Sequence, residues 1–170
     1  GKPTSDKEGI ASWASVLDER GKELEKEYYG PDGHLLICAR EGFARKTSRY
    51  DAKGYPIETS YFDGSNKPIL AGGDAAARWT IEWDADGHPI HFRYFGTGNE
   101  LLIAKPGYAG RDLKYDARGN QTEELLLDVH LKPVIGPEHW AIHRSTYDQW
   151  DHAVKDEWFD TESAPITLPS

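Results

Sequence analysis

Apolar and polar residues alternate strictly along Trp79-Thr80-Ile81-Glu82-Trp83, the period-two signature of a strand with one covered face. The Asp84-Ala85-Asp86-Gly87 that follows suits a tight turn: Asp accepts bonds from its own turn, and Gly takes a positive φ. A second strand, Ile90 to Phe95, comes next, so the segment predicts a β-hairpin. The pattern recurs. The turn appears as Tyr50-Asp51-Ala52-Lys53-Gly54 and Tyr115-Asp116-Ala117-Arg118-Gly119, as Leu17-Asp18-Glu19-Arg20-Gly21 with Leu first, and as Tyr147-Asp148 without the Gly. The second strand recurs as Leu24 to Tyr29, Ile57 to Phe62, Thr122 to Leu127 and Val154 to Phe159.

Laid in columns, the chain holds five units of 32 or 33 residues: 1–32, 33–65, 66–98, 99–130 and 131–162, with a tail at 163–170. Each starts at a turn such as Gly1-Lys2-Pro3 or Asn66-Lys67-Pro68. A Gly-aromatic-Ala step follows: Gly9-Ile10-Ala11, Gly42-Phe43-Ala44, Ala75-Ala76-Ala77, Gly107-Tyr108-Ala109 and His139-Trp140-Ala141. The constant Ala implies close approach of a backbone or ring. The second strands end in paired large residues, Tyr28-Tyr29, Tyr61-Phe62, Tyr94-Phe95, Leu126-Leu127 and Trp158-Phe159. Neighbours on a strand face opposite ways, so one of each pair belongs to a core. The other is either exposed, giving a column of Tyr29, Phe62, Phe95 and Phe159, or turned inward by a bulge. A lone hairpin cannot bury its own face, so the units must stack. The expected fold is all-β: one repeat domain over 1–170, forming an elongated twisted antiparallel sheet or an open β-solenoid. A closed five-bladed ring is less favoured, because blades usually carry four strands.

Composition agrees. Only 38% of residues are hydrophobic but 12% are aromatic, which reads as thin β-structure rather than disorder. A net charge of −9 disfavours nucleic acid and anionic membrane partners. No apolar run reaches membrane-spanning length, so no membrane insertion is expected. Cys38 is the single cysteine, which excludes a disulfide framework or thiolate metal cluster and reads as a buried, inert thiol. The chain lacks Met even at position 1, and reads as a processed or excised piece.

The Tyr-Asp-x-x-Gly steps resemble the YD repeats of bacterial Rhs-type surface and toxin proteins. Tyr61-Phe62-Asp63-Gly64-Ser65-Asn66-Lys67-Pro68 is similar to the aromatic-plus-Gly hairpins of choline-binding and glucan-binding cell-wall repeats, without their Trp-rich opening. The whole pattern resembles a bacterial repeat reading Gly-Tyr-Ala, Tyr-Asp-x-x-Gly-Asn, then Glu-x-x-Tyr-Phe-Asp-x-x-Gly-Lys-Pro. These resemblances imply an accessory region at the bacterial surface, in the periplasm or secreted, and carry over no catalytic residue.

Candidate chemistry is sparse. His139 and His143 have helical metal-ligand spacing, but on a strand they stand about 13 Å apart, too far for one zinc. His88 and His91 point to opposite strand faces. Asp84-Ala85-Asp86-Gly87 resembles part of a calcium loop yet recurs as a plain turn, so neither metal nor cofactor is expected. Glu23, Glu25 and Glu27 share a strand face; they read as a solvated face before a glycosidase pair. The aromatic excess singles out Trp13, Tyr61, Trp79, Trp83 and Tyr94 as ligand-binding candidates. Trp13, Lys46, Trp79, Arg111 and His143 occupy one variable column between constant neighbours, which adds His143. The expected function is a non-catalytic module binding a protein or glycan through an aromatic-bearing sheet face. The alternatives are a structural spacer and, more distantly, a carboxylate glycoside hydrolase in the divergent fifth unit, with His139, His143, Gln149, Trp150, Asp151 and His152.

Overall fold

The computed structural model describes residues 5–167, all of them in strands, turns and loops. The expected opening turn Gly1-Lys2-Pro3 lies outside these residues. Eleven strands follow in chain order: β1 (Ser12–Leu17), β2 (Glu23–Tyr29), β3 (Arg45–Tyr50), β4 (Pro56–Phe62), β5 (Arg78–Trp83), β6 (Pro89–Phe95), β7 (Gly110–Tyr115), β8 (Gln121–Leu127), β9 (Ile142–Tyr147), β10 (Ala153–Phe159) and β11 (Pro165–Ile166). Their hydrogen-bonded order is the order of the chain, β1 to β11, without closure into a barrel. The fold is the expected all-β array of tandem hairpins. By compactness the chain divides into two units, Gly1–Thr80 with Phe95–Glu100, and Ile81–Tyr94 with Leu101–Ser170.

Three turns build each repeat, and each has a positive-φ residue at a fixed place. The first joins the two strands of a hairpin, with positive φ at Gly21, Gly54, Gly87, Gly119 and Asp151. The second follows the even strand, with Gly33, Asn66, Asn99, Leu131 and Ser163. The third precedes the odd strand, with Gly9, Gly42, Ala75, Gly107 and His139. Glycine is the cheapest residue there, but the columns tolerate others because the turn is fixed from both sides. In the first turn the amide of Asp18 bonds the carbonyl of Lys22 at 2.9 Å, while Asp18 Oδ1 accepts the amides of Arg20 and Lys22 at 2.9 and 2.8 Å. Asp116 and Asp148 repeat this, and Asp63, Asp128 and Asp160 do the same in the second turn.

The third turn explains why units differ by one residue. It closes from Ala104 to Tyr108 and from Gly136 to Trp140, but from Cys38 to Phe43 and from Ala71 to Ala76. The longer turns belong to the two 33-residue units that carry Cys38 and Ala71. Cys38 thus stands in a column of small residues and is buried at 2% exposure, with its thiol 3.2 Å from Glu8 Oε2. Ala44, Ala77, Ala109 and Ala141 are all at or below 2% exposure, as the constant Ala predicted. The amide of each bonds the last residue of its own hairpin, such as Ala44 to the carbonyl of Phe62 at 2.9 Å. The carbonyl of Ala44 in turn accepts the amide of Tyr28 in the preceding hairpin, also at 2.9 Å.

Neighbouring hairpins are fastened in two further ways. Tyr50 donates its hydroxyl to the carbonyl of Glu23 at 3.2 Å, Tyr115 to Pro89 at 3.0 Å, and Tyr147 to Gln121 at 3.0 Å. The aromatic of the Tyr-Asp step therefore reaches back to the start of the previous even strand; each such bond is worth about 1 kcal/mol. At the other end, Arg45 lies 4.8 Å above the Phe62 ring and pairs with Glu25 of the preceding hairpin. Arg78 lies 3.7 Å above Phe95 and pairs with Glu58 at 3.1 Å; Arg144 lies 4.6 Å above Phe159 and pairs with Glu123 at 2.7 Å. Phe62, Phe95 and Phe159 are thus roofed by arginines and Leu127 is buried, whereas Tyr29 is half-buried with its hydroxyl on Glu27.

Four of the hairpins also carry a bulge. Pairing skips from Val16↔Glu25 to Leu17↔Glu23, with matching shifts at Arg49/Tyr50, Lys114/Tyr115 and Ala153/Lys155. The skipped residues Leu24, Ile57, Thr122 and Val154 are the first column of the second strand. The bulge corrects one expectation: Glu23 does not share a face with Glu25 and Glu27. It bonds Ser15 Oγ at 3.0 Å and Lys46 at 2.6 Å, whereas Glu25 pairs with Arg45.

The positive-φ column yields a test with opposite signs. Ala75→Gly relieves a left-handed alanine at φ 53° and should raise stability by about 1 kcal/mol. Gly107→Ala adds a Cβ 2.9 Å from Pro137 Cδ at φ 94° and should lower it by more than that. Urea denaturation of both variants checks the pair.

Candidate functional site

Strand register sorts the side chains onto two faces. Trp13 lies opposite Tyr28 and Ser15 opposite Lys26; Lys46 lies opposite Tyr61, Arg111 opposite Leu126, and His143 opposite Trp158. The variable column and the first residue of each closing pair thus share one face, the face on which the third turn folds. Glu25, Glu58, His91 and Glu123 lie on the other.

That second face is a ladder of ion pairs rather than a bare carboxylate surface. His91 breaks the acidic column, and the structure supplies the reason. Asp112 stands opposite it on β7, 2.7 Å from both His91 Nδ1 and Arg93. Acid and base have exchanged strands. Gly110 occupies the place of Arg45 and Arg78, and a Cβ there would stand 2.8 Å from Arg93 Cδ and 2.4 Å from the Phe92 carbonyl. Arg93, coming from the facing strand, fills the vacated space. None of these carboxylates forms an isolated acid–base couple.

On the first face, the third turns wall off grooves. In the first compact unit a groove of about 510 Å³ is lined by Trp13, Ser15, Leu17, Glu23, Lys26, Tyr28 and Arg40. In the second, one of about 390 Å³ is lined by Pro106, Tyr108, Arg111, Glu124, Leu126, Pro137, Glu138 and Trp140. The two share four columns, three repeats apart: Arg111 stands in the column of Trp13, Glu124 in that of Lys26, Leu126 in that of Tyr28, and Glu138 in that of Arg40. The frame persists while its chemistry changes.

Two polar atoms lining these grooves are buried without a hydrogen-bond partner, the Tyr28 hydroxyl and Arg111 Nε. The Lys26 ammonium lies 5.2 Å from the Tyr28 ring centre. Arg111 bonds Glu124 at 3.0 Å and lies 4.4 Å above the Phe92 ring.

The other expected residues are placed as follows. Trp13 is 64% exposed. Tyr61 is half-buried with its ring 5.3 Å from Phe43, in a cluster with Tyr28, Cys38 and Ala71. Trp79 is half-buried opposite Thr59, and Trp83 is half-buried. Tyr94 is 7% exposed and 6.1 Å from Tyr108, so its ring belongs to the core. His143 is half-buried, stacked on Trp158 at 5.3 Å and bonded through Nε2 to Asp156 at 2.9 Å. Ser145 donates to the same Asp156 oxygen at 2.6 Å, so the three do not form a serine–histidine relay.

The fifth unit's unusual residues are not gathered. His139 lies in the third turn at φ 68°, ahead of β9 rather than on it, which corrects its strand placement; His143 lies on β9 as expected. His152 faces Asp148 at 3.3 Å, Asp151 meets Asn120 and Arg118 at 2.7 and 3.0 Å, and Trp150 is exposed. Among the described residues, Asp84, Asp86 and His88 lie close enough to share a metal. The turn already uses Asp84: Oδ1 accepts the amides of Asp86, Gly87 and His88, and Oδ2 bonds His88 Nδ1 at 3.0 Å. His88 itself stacks on Tyr115 at 4.6 Å. The groove lining beyond Trp13 and Arg111 was not found from the sequence. Its signal was present in the aromatic residues Tyr108 and Trp140, which recur one repeat apart.

Comparison with protein-family models and with curated protein sequences returned no match. Among solved structures, the chain is similar to part of the crystal structure of TcdB2-TccC3-Cdc42, at 10% identity and a TM-score of 0.36. The match covers 86% of this chain and 7% of that one. A likeness this loose assigns neither family nor function.

The turn aspartates set a pH dependence. Backbone amides, foremost those of His88, Asn120 and Lys132, hold Asp84, Asp116 and Asp128 below the ordinary carboxylate range. A lowered folded value stabilises fully above the unfolded value of about 4 and is lost as pH falls through the folded value. Urea midpoints should therefore hold steady from pH 7 to 5 and drop towards pH 3. The triple Asn variant should show a shallower drop.

Proposed function

We propose that this chain is a non-catalytic repeat module that binds a protein or glycan partner in the grooves beside its third turns. The observation that carries this reading is a pair of grooves on one face that share four columns of the repeat and fill them with different residues. Repeat proteins hold a common frame and vary the surface it presents. Trp13, Lys26 and Arg40 offer a stacking face and cations, whereas Arg111, Glu124 and Glu138 offer a mixed polar site between Tyr108 and Trp140. Aromatic faces with nearby polar groups suit sugar rings and peptide side chains alike. The resemblance to bacterial YD and cell-wall repeats supports a place in a larger surface, secreted or sensory protein. The separate engagement of His143, Asp151 and His152 supports a module without catalysis.

A structural spacer is the second reading. It is favoured by the aromatics committed to packing, among them Tyr28, Phe43, Tyr94, Trp140 and Phe159. Probing the immobilised chain with bacterial wall glycans and with host proteins separates the two. Under the binding reading a ligand is captured, and Arg111→Ala or Trp13→Ala weakens capture at least tenfold with the unfolding midpoint little changed. Capture of nothing, or losses that track unfolding, favours the spacer.

A further inference from the structure

We propose that the groove between Tyr108 and Trp140 is a subsite for the uncharged ring of a neutral oligosaccharide. The inference rests on the groove-binding reading above and narrows it to one class of ligand at one place. The groove, of about 390 Å³, is lined from β7, β8 and the third turns that precede β7 and β9. Both strands are paired on either side, β7 with β6 and β8 with β9, so the site lies inside the array. Its volume falls within the range of small-molecule sites, about 300–1,000 Å³.

Two charged arms meet there, and each is held in place by a neighbour. The donor arm is Arg111. Its Nη1 bonds Glu124 Oε1 at 3.0 Å, its guanidinium lies 4.4 Å above the Phe92 ring, and its side chain is 31% exposed. Gln121 Nε2 bonds the other Glu124 oxygen at 3.4 Å. The acceptor arm is Glu138, which is exposed; its Oε2 accepts the indole N–H of buried Trp140 at 3.2 Å. Groups ordered in advance lose less freedom when a ligand arrives. Beside the arms, half-buried Tyr108 and Leu126 supply an apolar surface.

The chemistry of the arms selects the ligand. A guanidinium offers only donors and a carboxylate only acceptors, whereas a hydroxyl is both. Neighbouring hydroxyls on one sugar ring can therefore donate to Glu138 and accept from Arg111 without bringing a charge. The ring's C–H face then lies on the apolar surface, the division of polar and apolar contact typical of small-ligand sites. Glu124 and Glu138 outnumber Arg111 in a chain of net charge −9, which opposes acidic sugars and acidic peptides. The other groove does not share this set: Arg40 stands in the column of Glu138 and Trp13 in that of Arg111. A peptide amide also carries one donor and one acceptor, and the test separates that occupant.

NMR titration of the isotope-labelled chain, followed at the amides of Gly107 and Tyr108, tests the assignment. The probes are maltohexaose, the hexamer of N-acetylglucosamine, polygalacturonate and a pool of uncharged hexapeptides. At least one neutral glycan should shift both amides saturably, and polygalacturonate should not. Glu138→Ala removes the acceptor arm at an exposed position. Trp140→Phe keeps a ring that Phe43 already provides in the same column and deletes the N–H that holds Glu138. Each should raise the dissociation constant at least tenfold, Glu138→Ala with an unchanged unfolding midpoint. Shifts from the peptides alone overturn the sugar assignment but uphold the groove as a binding site. No shift from any probe overturns the assignment and counts against the groove reading itself. Neutral-glycan binding indifferent to both substitutions, or equal binding of polygalacturonate, also overturns it.

Discussion

A two-stranded hairpin exposes two faces and two edges, and its own side chains cover few of them. The structure rests on how one hairpin closes the next. At each joint the buried alanine brings backbones close enough for its amide to bond its own hairpin and its carbonyl the one before. The Tyr hydroxyl pins one end of the preceding strand, and the arginine between an aromatic ring and a neighbour's carboxylate pins the other. Each contact is worth a kilocalorie or so, and their repetition makes the array cohere.

That division of labour explains where variation is allowed. The turns must keep a left-handed residue near their end, and the joint must keep a small residue. Charges on the ladder face may exchange strands, as Glu58 with Arg78 becomes His91 and Arg93 with Asp112, because only the pairing is constrained. Groove residues are fixed by neither demand. Trp13 and Arg111 can therefore stand in the same column of one frame and present unrelated chemistry to a partner.

Much of this was legible in the sequence, because a repeated fold compares itself. The strands fall within a residue of the alternating segments, the Asp-x-x-Gly steps are turns, and the constant alanines are buried. What escaped notice depended on contacts between columns. Nothing along the chain shows that Arg45 lies over Phe62, that Tyr115 bonds the carbonyl of Pro89, or that a bulge at Leu24 turns Glu23 away from Glu25. Nor could composition tell which aromatics were structural: Tyr94 and Trp13 read alike in the sequence, yet one is core and the other exposed. The third turn was visible as Gly-aromatic-Ala, but only its closure shows that it forms a groove wall and absorbs the extra residue of the longer units.

Amide hydrogen exchange tests the joint most directly. The amides of Tyr28, Tyr61, Tyr94 and Leu126 bond the carbonyls of Ala44, Ala77, Ala109 and Ala141 across the joints at 2.8 to 2.9 Å. If the joints hold the array together, these four should exchange among the slowest in the chain, at rates set by cooperative unfolding. Exchange as fast as that of the exposed turn amides would mean that the hairpins open independently, and would contradict the account.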